Sequence, residues 1–161
     1  MNYYLAVLFW FHLMGISIWV GASFLMPLLI MPTVQTLEPS ARLPFVGALS
    51  KRMGPMVMGA IIVVVLTGIL QAGTIFKTFT IFLGLNVLTV KVFVAILMMA
   101  NGTYMGMVLP RRAQALAPQP GAPPSPEFLK TLRQLGMHSW VQAGLGVVVL
   151  LLVGLLTSGG K

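Results

Sequence analysis

Residues 54–76 read GPMVMGAIIVVVLTGILQAGTIF, a run of 23 residues without a charged side chain. An α-helix needs about 20 predominantly apolar residues to cross the hydrocarbon core of a bilayer. Three further apolar stretches of sufficient length lie at 3–31, 80–109 and 135–157. The sequence therefore predicts a single transmembrane domain over 1–161, folded as an all-α antiparallel four-helix bundle in the lipid bilayer.

The composition of the 161 residues excludes several classes of protein. Hydrophobic residues make up 58% and charged residues only 7%, whereas soluble domains carry about 25% charged residues. The only carboxylates are Glu38 and Glu127, both in polar connecting stretches, so paired-acid hydrolysis and carboxylate di-metal centres are excluded. Cysteine is absent, which excludes disulfides, thiolate metal sites and covalently attached haem from this chain.

The distribution of basic residues predicts the orientation of the bundle. Seven of the ten lysines and arginines lie in the first and third loops: Arg42, Lys51, Arg52, Arg111, Arg112, Lys130 and Arg133. The positive-inside rule places these loops in the cytoplasm and both termini outside, and we expect a bacterial plasma membrane. Nucleic acid is not an expected partner, because cations divided between two loops of a membrane protein are typical of topology signals.

Prolines punctuate the predicted helices. Pro27 and Pro32 are expected to kink or end the first helix, and Pro55 is expected in the first turn of the second helix. The turn near 77–79 is short, as between antiparallel neighbours. The third loop holds five prolines within 113–127, which predicts a mobile linker; a docking site for a proline-reading domain is the alternative.

His12 is the first of two unusual polar residues within the apolar stretches. It lies about two turns into the first helix, where an imidazole needs a partner or a ligand. Gly15 and Trp19 follow on the same helix face, and a glycine there would let a flat macrocycle approach the backbone. The sequence makes His12 a candidate haem or metal ligand; a hydrogen bond to a neighbouring helix is the alternative.

Lys91 is the second unusual residue. The sequence places it about ten residues into the third helix, at a depth similar to that of His12, so the two could face one pocket. A lysine in the middle of a membrane costs about 2.5–3.5 kcal/mol on insertion scales, and the apolar stretches offer no acid to pair with it. A neutral amine could ligate iron and a charged one could pair with a propionate, whereas snorkelling to the interface is the alternative.

His138 and the methionines suggest other metal chemistry. His138 is a second candidate metal ligand, but it lies on the order of 10–15 Å from the height of His12, so we discount haem ligation by the two histidines together. Its alternative role is that of an interfacial histidine near water. The chain also holds 12 methionines, whose thioethers suit Cu(I) but are also good apolar gap-fillers.

Two segments resemble a known family. Residues 11–21 read FHLMGISIWVG and residues 85–95 read LNVLTVKVFVA, which is similar to the first and third helices of copper resistance protein D (CopD) and related HemJ-type membrane proteins. The resemblance implies a four- to five-helix fold, haem b, protoporphyrinogen oxidation or copper uptake, and functional roles for His12 and Lys91. The fourth helix departs from the HemJ pattern. Asn101 stands near the place of a second histidine late in the third helix, so we include it among the cofactor-binding candidates.

Three functional hypotheses follow from the sequence. The leading one is a b-type haem or related tetrapyrrole, with His12 as axial ligand and Lys91 as second ligand or propionate partner, that serves electron transfer or porphyrinogen oxidation. The second is copper transport through the methionines and His12. The third is a non-catalytic accessory subunit of a respiratory or photosynthetic complex. Assembly as a homo-oligomer or within a larger membrane complex is left open.

Overall fold

The computed structural model describes residues 3–76, 84, 86–119 and 122–158, and these residues form helices and connecting segments without any strand. The helices, with their bounds, are α1 Tyr3–Leu25, α2 Met31–Thr36, α3 Pro39–Phe76, α4 Val87–Thr103, α5 Leu109–Ala115 and α6 Pro126–Thr157. Two π-helical turns, Met26–Ile30 and Tyr104–Val108, join α1 to α2 and α4 to α5. The predicted all-α class is confirmed.

Four segments are long and apolar enough to cross a membrane. They are Tyr3–Thr36, Ser40–Thr74, Val87–Ala115 and Pro126–Thr157. Many of their large apolar side chains face outward, as in a helix surrounded by lipid; Leu66 and Leu151, for example, are more than half exposed. The structure thus supports an integral membrane protein with four spanning helices.

Prolines widen two helices instead of ending them. A proline has no N–H and its ring collides with the carbonyl four residues earlier, which an α-helical turn cannot accommodate. Ahead of Pro32 the N–H of Met31 bonds to the carbonyl of Met26, and ahead of Pro110 the N–H of Leu109 bonds to that of Tyr104. Each bond spans five residues, and this wider turn gives the ring its space. The first membrane segment therefore continues to residue 36.

The starts of three helices differ from the predicted ones. The second long helix begins at Pro39 instead of 54, so Pro55 is internal and not in the first turn. The last helix begins at Pro126 instead of 135, where Ser125 accepts a hydrogen bond from the N–H of Phe128 at 3.2 Å. The apolar runs show which residues the hydrocarbon core of the membrane can surround. Lysine, arginine, glutamate and glutamine also favour helix, so a helix can extend past the apolar run.

The third changed start is that of α4, which follows Asn86. Its side chain accepts a hydrogen bond from the N–H of Thr89 at 3.0 Å and caps α4, which therefore begins at Val87 instead of 80. The predicted turn at 77–79 lies outside the described residues.

Helices α1 and α6 connect the two outer helices of the bundle, α3 and α4. Helix α1 packs against α3 and α6, and α6 also packs against α4, whereas the described residues of α3 and α4 have hardly any contact with each other. Residues early in α1 lie beside residues late in α3, so these helices are antiparallel. The core consists of Ile16, Trp19, Val20, Ala60, Val94, Met98 and Val149.

Candidate functional site

A cavity of about 660 Å³ lies between α1, α3, α4 and the end of α6. We call it the bundle cavity. It occupies the half of the molecule that holds Tyr3 and Thr157, which we call the terminal half. Its lining is mostly aliphatic and aromatic, and it includes His12, Trp19, Gly68, Gln71, Lys91 and Met99. This volume lies within the range of about 300–1,000 Å³ typical of small-molecule and cofactor sites.

A threonine on α3 holds the imidazole of His12 in place. Nδ1 of His12 lies 2.8 Å from Oγ1 of Thr67, and the Thr67 hydroxyl donates its hydrogen to the carbonyls of Val63 and Val64 on its own helix. With the hydroxyl hydrogen directed at those carbonyls, the oxygen accepts from the imidazole, and Nδ1 of neutral His12 then carries the proton. Nε2 then holds the lone pair, as in metal-ligating histidines whose other nitrogen donates to a neighbour.

The lone pair on Nε2 faces the bundle cavity. His12 is only 7% exposed and lines the cavity. Among the described residues Nε2 has no hydrogen-bond partner. Every fully buried side-chain nitrogen and oxygen of these residues does have a partner, so Nε2 is not fully buried. The atom is therefore accessible from the cavity space, where it can accept a hydrogen bond or bind a metal.

Gly68 provides the space that the imidazole occupies. A Cβ atom at this position would lie 3.3 Å from Cε1 and 3.8 Å from Nδ1 of His12. The first of these distances is shorter than an ordinary van der Waals contact, so a larger residue would push the ring away from α3. One helical turn on, Gln71 donates a hydrogen bond from Nε2 to the carbonyl of Leu8 at 3.2 Å. This bond ties α3 to α1 beside the cavity.

Lys91 lines the same cavity as His12. Within the described residues its ammonium has no ion-pair or hydrogen-bond partner. The predicted depth is corrected, since α4 begins at Val87 and Lys91 lies only four residues from that end, about 6 Å along the axis. Side chains in helices tilt towards the N-terminus, so the amine lies towards the terminal end of the cavity.

Trp19 and Gly15 have different surroundings in the structure. Trp19 is 4% exposed and lies both in the core and on the cavity wall. Gly15 does not line the cavity; a Cβ there would lie 2.7 Å from Cγ2 of Val64 and 3.0 Å from the carbonyl oxygen of Ala60. At Gly15 the two helices α1 and α3 thus lie close together, and the residue gives a macrocycle no access to the backbone.

Asn101 and His138 form a separate polar cluster between α4 and α6. Nδ1 of His138 lies 2.6 Å from Oδ1 of Asn101, and Asn101 donates from Nδ2 to the carbonyl of His138 at 3.0 Å and to Oε1 of Gln142 at 2.8 Å. The Tyr104 ring contacts His138 edge to face at 5.0 Å. Neither Asn101 nor His138 lines the bundle cavity. The structure therefore brings His12 and Lys91 together and leaves these two candidates elsewhere.

Three residues of the site were not singled out from the sequence: Thr67, Gly68 and Gln71. A usable signal was present, because Thr67 lies nine residues before the end of α3 and His12 nine residues after the start of α1. In antiparallel neighbours that begin and end together, equal spacing means equal depth. Matching polar residues by depth would have paired them.

Metal-ligating side chains are few in the described part of the chain. The described residues contain no group of three or more histidine, cysteine, aspartate or glutamate side chains that could hold an ion. A tetrapyrrole supplies four nitrogens itself and needs one or two axial ligands. Of the methionines, Met99 lines the bundle cavity, whereas Met98 is fully buried in the core and Met56, Met58 and Met107 are exposed.

Comparison of the chain with protein-family models, with curated proteins and with solved structures gave no match.

Proposed function

We propose that this membrane protein binds a tetrapyrrole such as haem b in the bundle cavity, with Nε2 of His12 as an axial ligand. The observation that supports it is the bond between Nδ1 of His12 and Thr67, which leaves Nε2 with its lone pair at an apolar cavity of suitable volume. Histidine held in this way is the usual proximal ligand of haem iron.

Each residue of the site has a distinct role in this proposal. Thr67 orients the imidazole and keeps the proton on Nδ1, and Gly68 gives the ring its place against α3. Lys91 lies where its ammonium can pair with a carboxylate of the bound ligand, which answers the lack of an acidic partner among the described residues. Its position near the end of α4 favours this role over iron ligation.

The bound group would supply one-electron chemistry, either as an electron carrier or in the oxidation of a porphyrinogen. The apolar walls of the cavity exclude water from the imidazole and lower the local dielectric constant. We propose that loops one and three, which carry most of the basic residues, face the cytoplasm. The bundle cavity then lies in the outer half of the membrane.

The decisive experiment compares two histidine variants. Wild type, His12→Ala and His138→Ala are purified in detergent, titrated with haemin under reducing and oxidising conditions, and followed by their absorption spectra. We expect a Soret band of ligated haem for wild type and for His138→Ala, and its loss or a marked shift in His12→Ala. Failure of the wild type to bind haemin, or loss of the band only in His138→Ala, would refute the proposal.

Copper transport is a second candidate, because the thioether of Met99 lines the same cavity as His12 and soft sulfur ligands suit Cu(I). Metal analysis after incubation with Cu(I) tests it. A stoichiometric copper content that falls in both Met99→Leu and His12→Ala, in a sample that binds no haemin, would favour copper over the tetrapyrrole.

A further inference from the structure

A second and larger cavity, of about 1460 Å³, lies in the opposite half of the molecule. We call it the loop cavity. It is formed by the beginning of α3, by α5, by the first turns of α6 and by part of the proline-rich segment, since Pro118, Gln119 and Pro124 line it. The third loop is therefore more than a linker, because its described part forms a wall of this cavity.

Three cations from two different helices line the loop cavity. They are Arg42 and Lys51 of α3 and Arg111 of α5. The remaining lining residues are uncharged, and neither Glu38 nor Glu127 is among them. A positive charge that the described lining leaves uncompensated favours an anionic ligand, because field lines concentrate in a concave site with low-dielectric walls.

Arg42 is held in place for such a ligand. Its Nε donates to the carbonyl of Leu37 at 2.9 Å and its Nη2 to the carbonyl of Gln35 at 2.8 Å. These bonds fix the guanidinium against the turn between α2 and α3. A guanidinium has five N–H donors, so three remain for a ligand in a group that has already lost much of its conformational freedom. This arrangement suits phosphate, which arginine binds through two parallel hydrogen bonds.

The rest of the lining indicates what the phosphate is attached to. Phe128, Leu132 and Trp140 line the cavity beside the basic residues, and Trp140 is largely exposed, as expected for an aromatic residue at a membrane interface. A ligand that fits both parts has a phosphate group and a hydrocarbon chain. We propose that the loop cavity binds the phosphate head group of an anionic phospholipid, with part of an acyl chain along its apolar wall.

The test uses two double variants of equal charge. Lys51→Gln/Arg111→Gln removes two lining cations, and Arg42 is kept because it also supports the backbone. Arg52→Gln/Arg112→Gln removes their sequence neighbours, which do not line the cavity. Both variants lose the same charge from the same two loops, so effects on membrane topology and on non-specific attraction to anionic lipid are matched.

Binding is measured by native mass spectrometry of the full-length protein, extracted from nanodiscs of phosphatidylcholine with 20% phosphatidylglycerol. We expect wild type and Arg52→Gln/Arg112→Gln to retain phosphatidylglycerol in preference to phosphatidylcholine. We expect Lys51→Gln/Arg111→Gln to bind it about 100-fold more weakly, since each lost hydrogen bond between a lining cation and the charged phosphate contributes about a tenfold factor. Circular dichroism checks that both variants remain folded.

Two results would overturn the proposal. Equal loss in the two double variants would show that binding depends on total loop charge and not on the cavity. Displacement of the lipid by millimolar glycerol 1-phosphate or inorganic phosphate, with loss of the preference between the two lipids, would assign the site to a soluble phosphate compound instead. Haemin binding is measured in parallel and is expected to be unchanged, so this proposal and the proposed function fail independently.

Discussion

Gly68 on α3 leaves the space that the imidazole of His12 on α1 occupies: a Cβ added to Gly68 would lie 3.3 Å from Cε1 of the ring. The small size of Gly68 lets the ring lie against α3, while the hydroxyl of Thr67 holds its Nδ1. Two neighbouring residues of one helix thus set the position, orientation and tautomer of a side chain on another helix.

Substitution of the glycine tests this contact. In Gly68→Ala the imidazole must move by a few tenths of an ångström towards the cavity, so we expect a shifted Soret band and weaker haemin binding. Gly59→Ala on the same helix is the control, since a Cβ there has no neighbour within 4 Å in the described part of the chain. The control also includes the gain in helix propensity of alanine over glycine, up to about 1 kcal/mol. Identical haemin titrations of the two variants would contradict the prediction.

Removal of the threonine hydroxyl tests the hydrogen bond. Thr67→Val keeps the shape of the side chain but leaves Nδ1 of His12 without its acceptor. Loss of such a partner typically lowers metal affinity by about 10–100-fold, and we expect a loss of this size in haemin titrations. Thr74→Val is the control, because Thr74 is exposed and bonds only to its own helix. An affinity equal to that of wild type would show that Thr67 does not orient the ligand.

Gly15 should matter for stability whether or not a cofactor binds. A Cβ in Gly15→Ala would lie 3.0 Å from the backbone oxygen of Ala60, which cannot rotate away, so α1 and α3 must separate. Overpacking of this kind costs about 1–3 kcal/mol. We expect Gly15→Ala to have a lower free energy of unfolding than wild type, measured in detergent with circular dichroism as the readout. Gly21→Ala, whose Cβ has open space among the described residues, should be as stable as wild type or more so.

The cluster of Asn101, His138 and Gln142 should support the bundle and not the cofactor. Asn101→Ala removes hydrogen bonds between α4 and α6, and such bonds contribute about 0.6 kcal/mol on average in a membrane protein, with a maximum of about 1.7 kcal/mol. We expect a loss of stability of this order and an unchanged haemin spectrum. Thr103→Ala, exposed on the same helix, controls for the loss of a polar side chain. A haemin spectrum altered by Asn101→Ala alone would place Asn101 at the cofactor site.

The four spanning segments could be predicted from hydropathy, because hydrocarbon imposes its length on any helix that crosses it. The helix ends could not, since prolines 32 and 110 are accommodated by wider turns and polar residues extend α3 and α6 beyond the apolar runs. The start of α4 also determines the depth of Lys91. The cap at Asn86 places the amine one turn from the helix end, where its cost is lower than the sequence suggested.

The site itself was only partly predictable. Matching depths along the first and third spans, which run in the same direction, predicted that His12 and Lys91 face one pocket, and the same reasoning applied to the antiparallel α3 would have found Thr67. The face that each helix turns inward depends on side-chain packing, so the sequence could not show that Gly15 faces α3 while His12 reaches the cavity. The bond between Asn101 and His138 depends on the same rotation.

The separation of α3 and α4 determines how a large planar molecule would arrive at the imidazole. The described residues of these two helices line one cavity but hardly pack against each other, so that side of the bundle has no close-packed seam. A hydrophobic pigment dissolved among the acyl chains could slide in laterally, without an aqueous channel and without unfolding of the helix pair formed by α1 and α3. The membrane itself would then be the reservoir from which the protein is loaded.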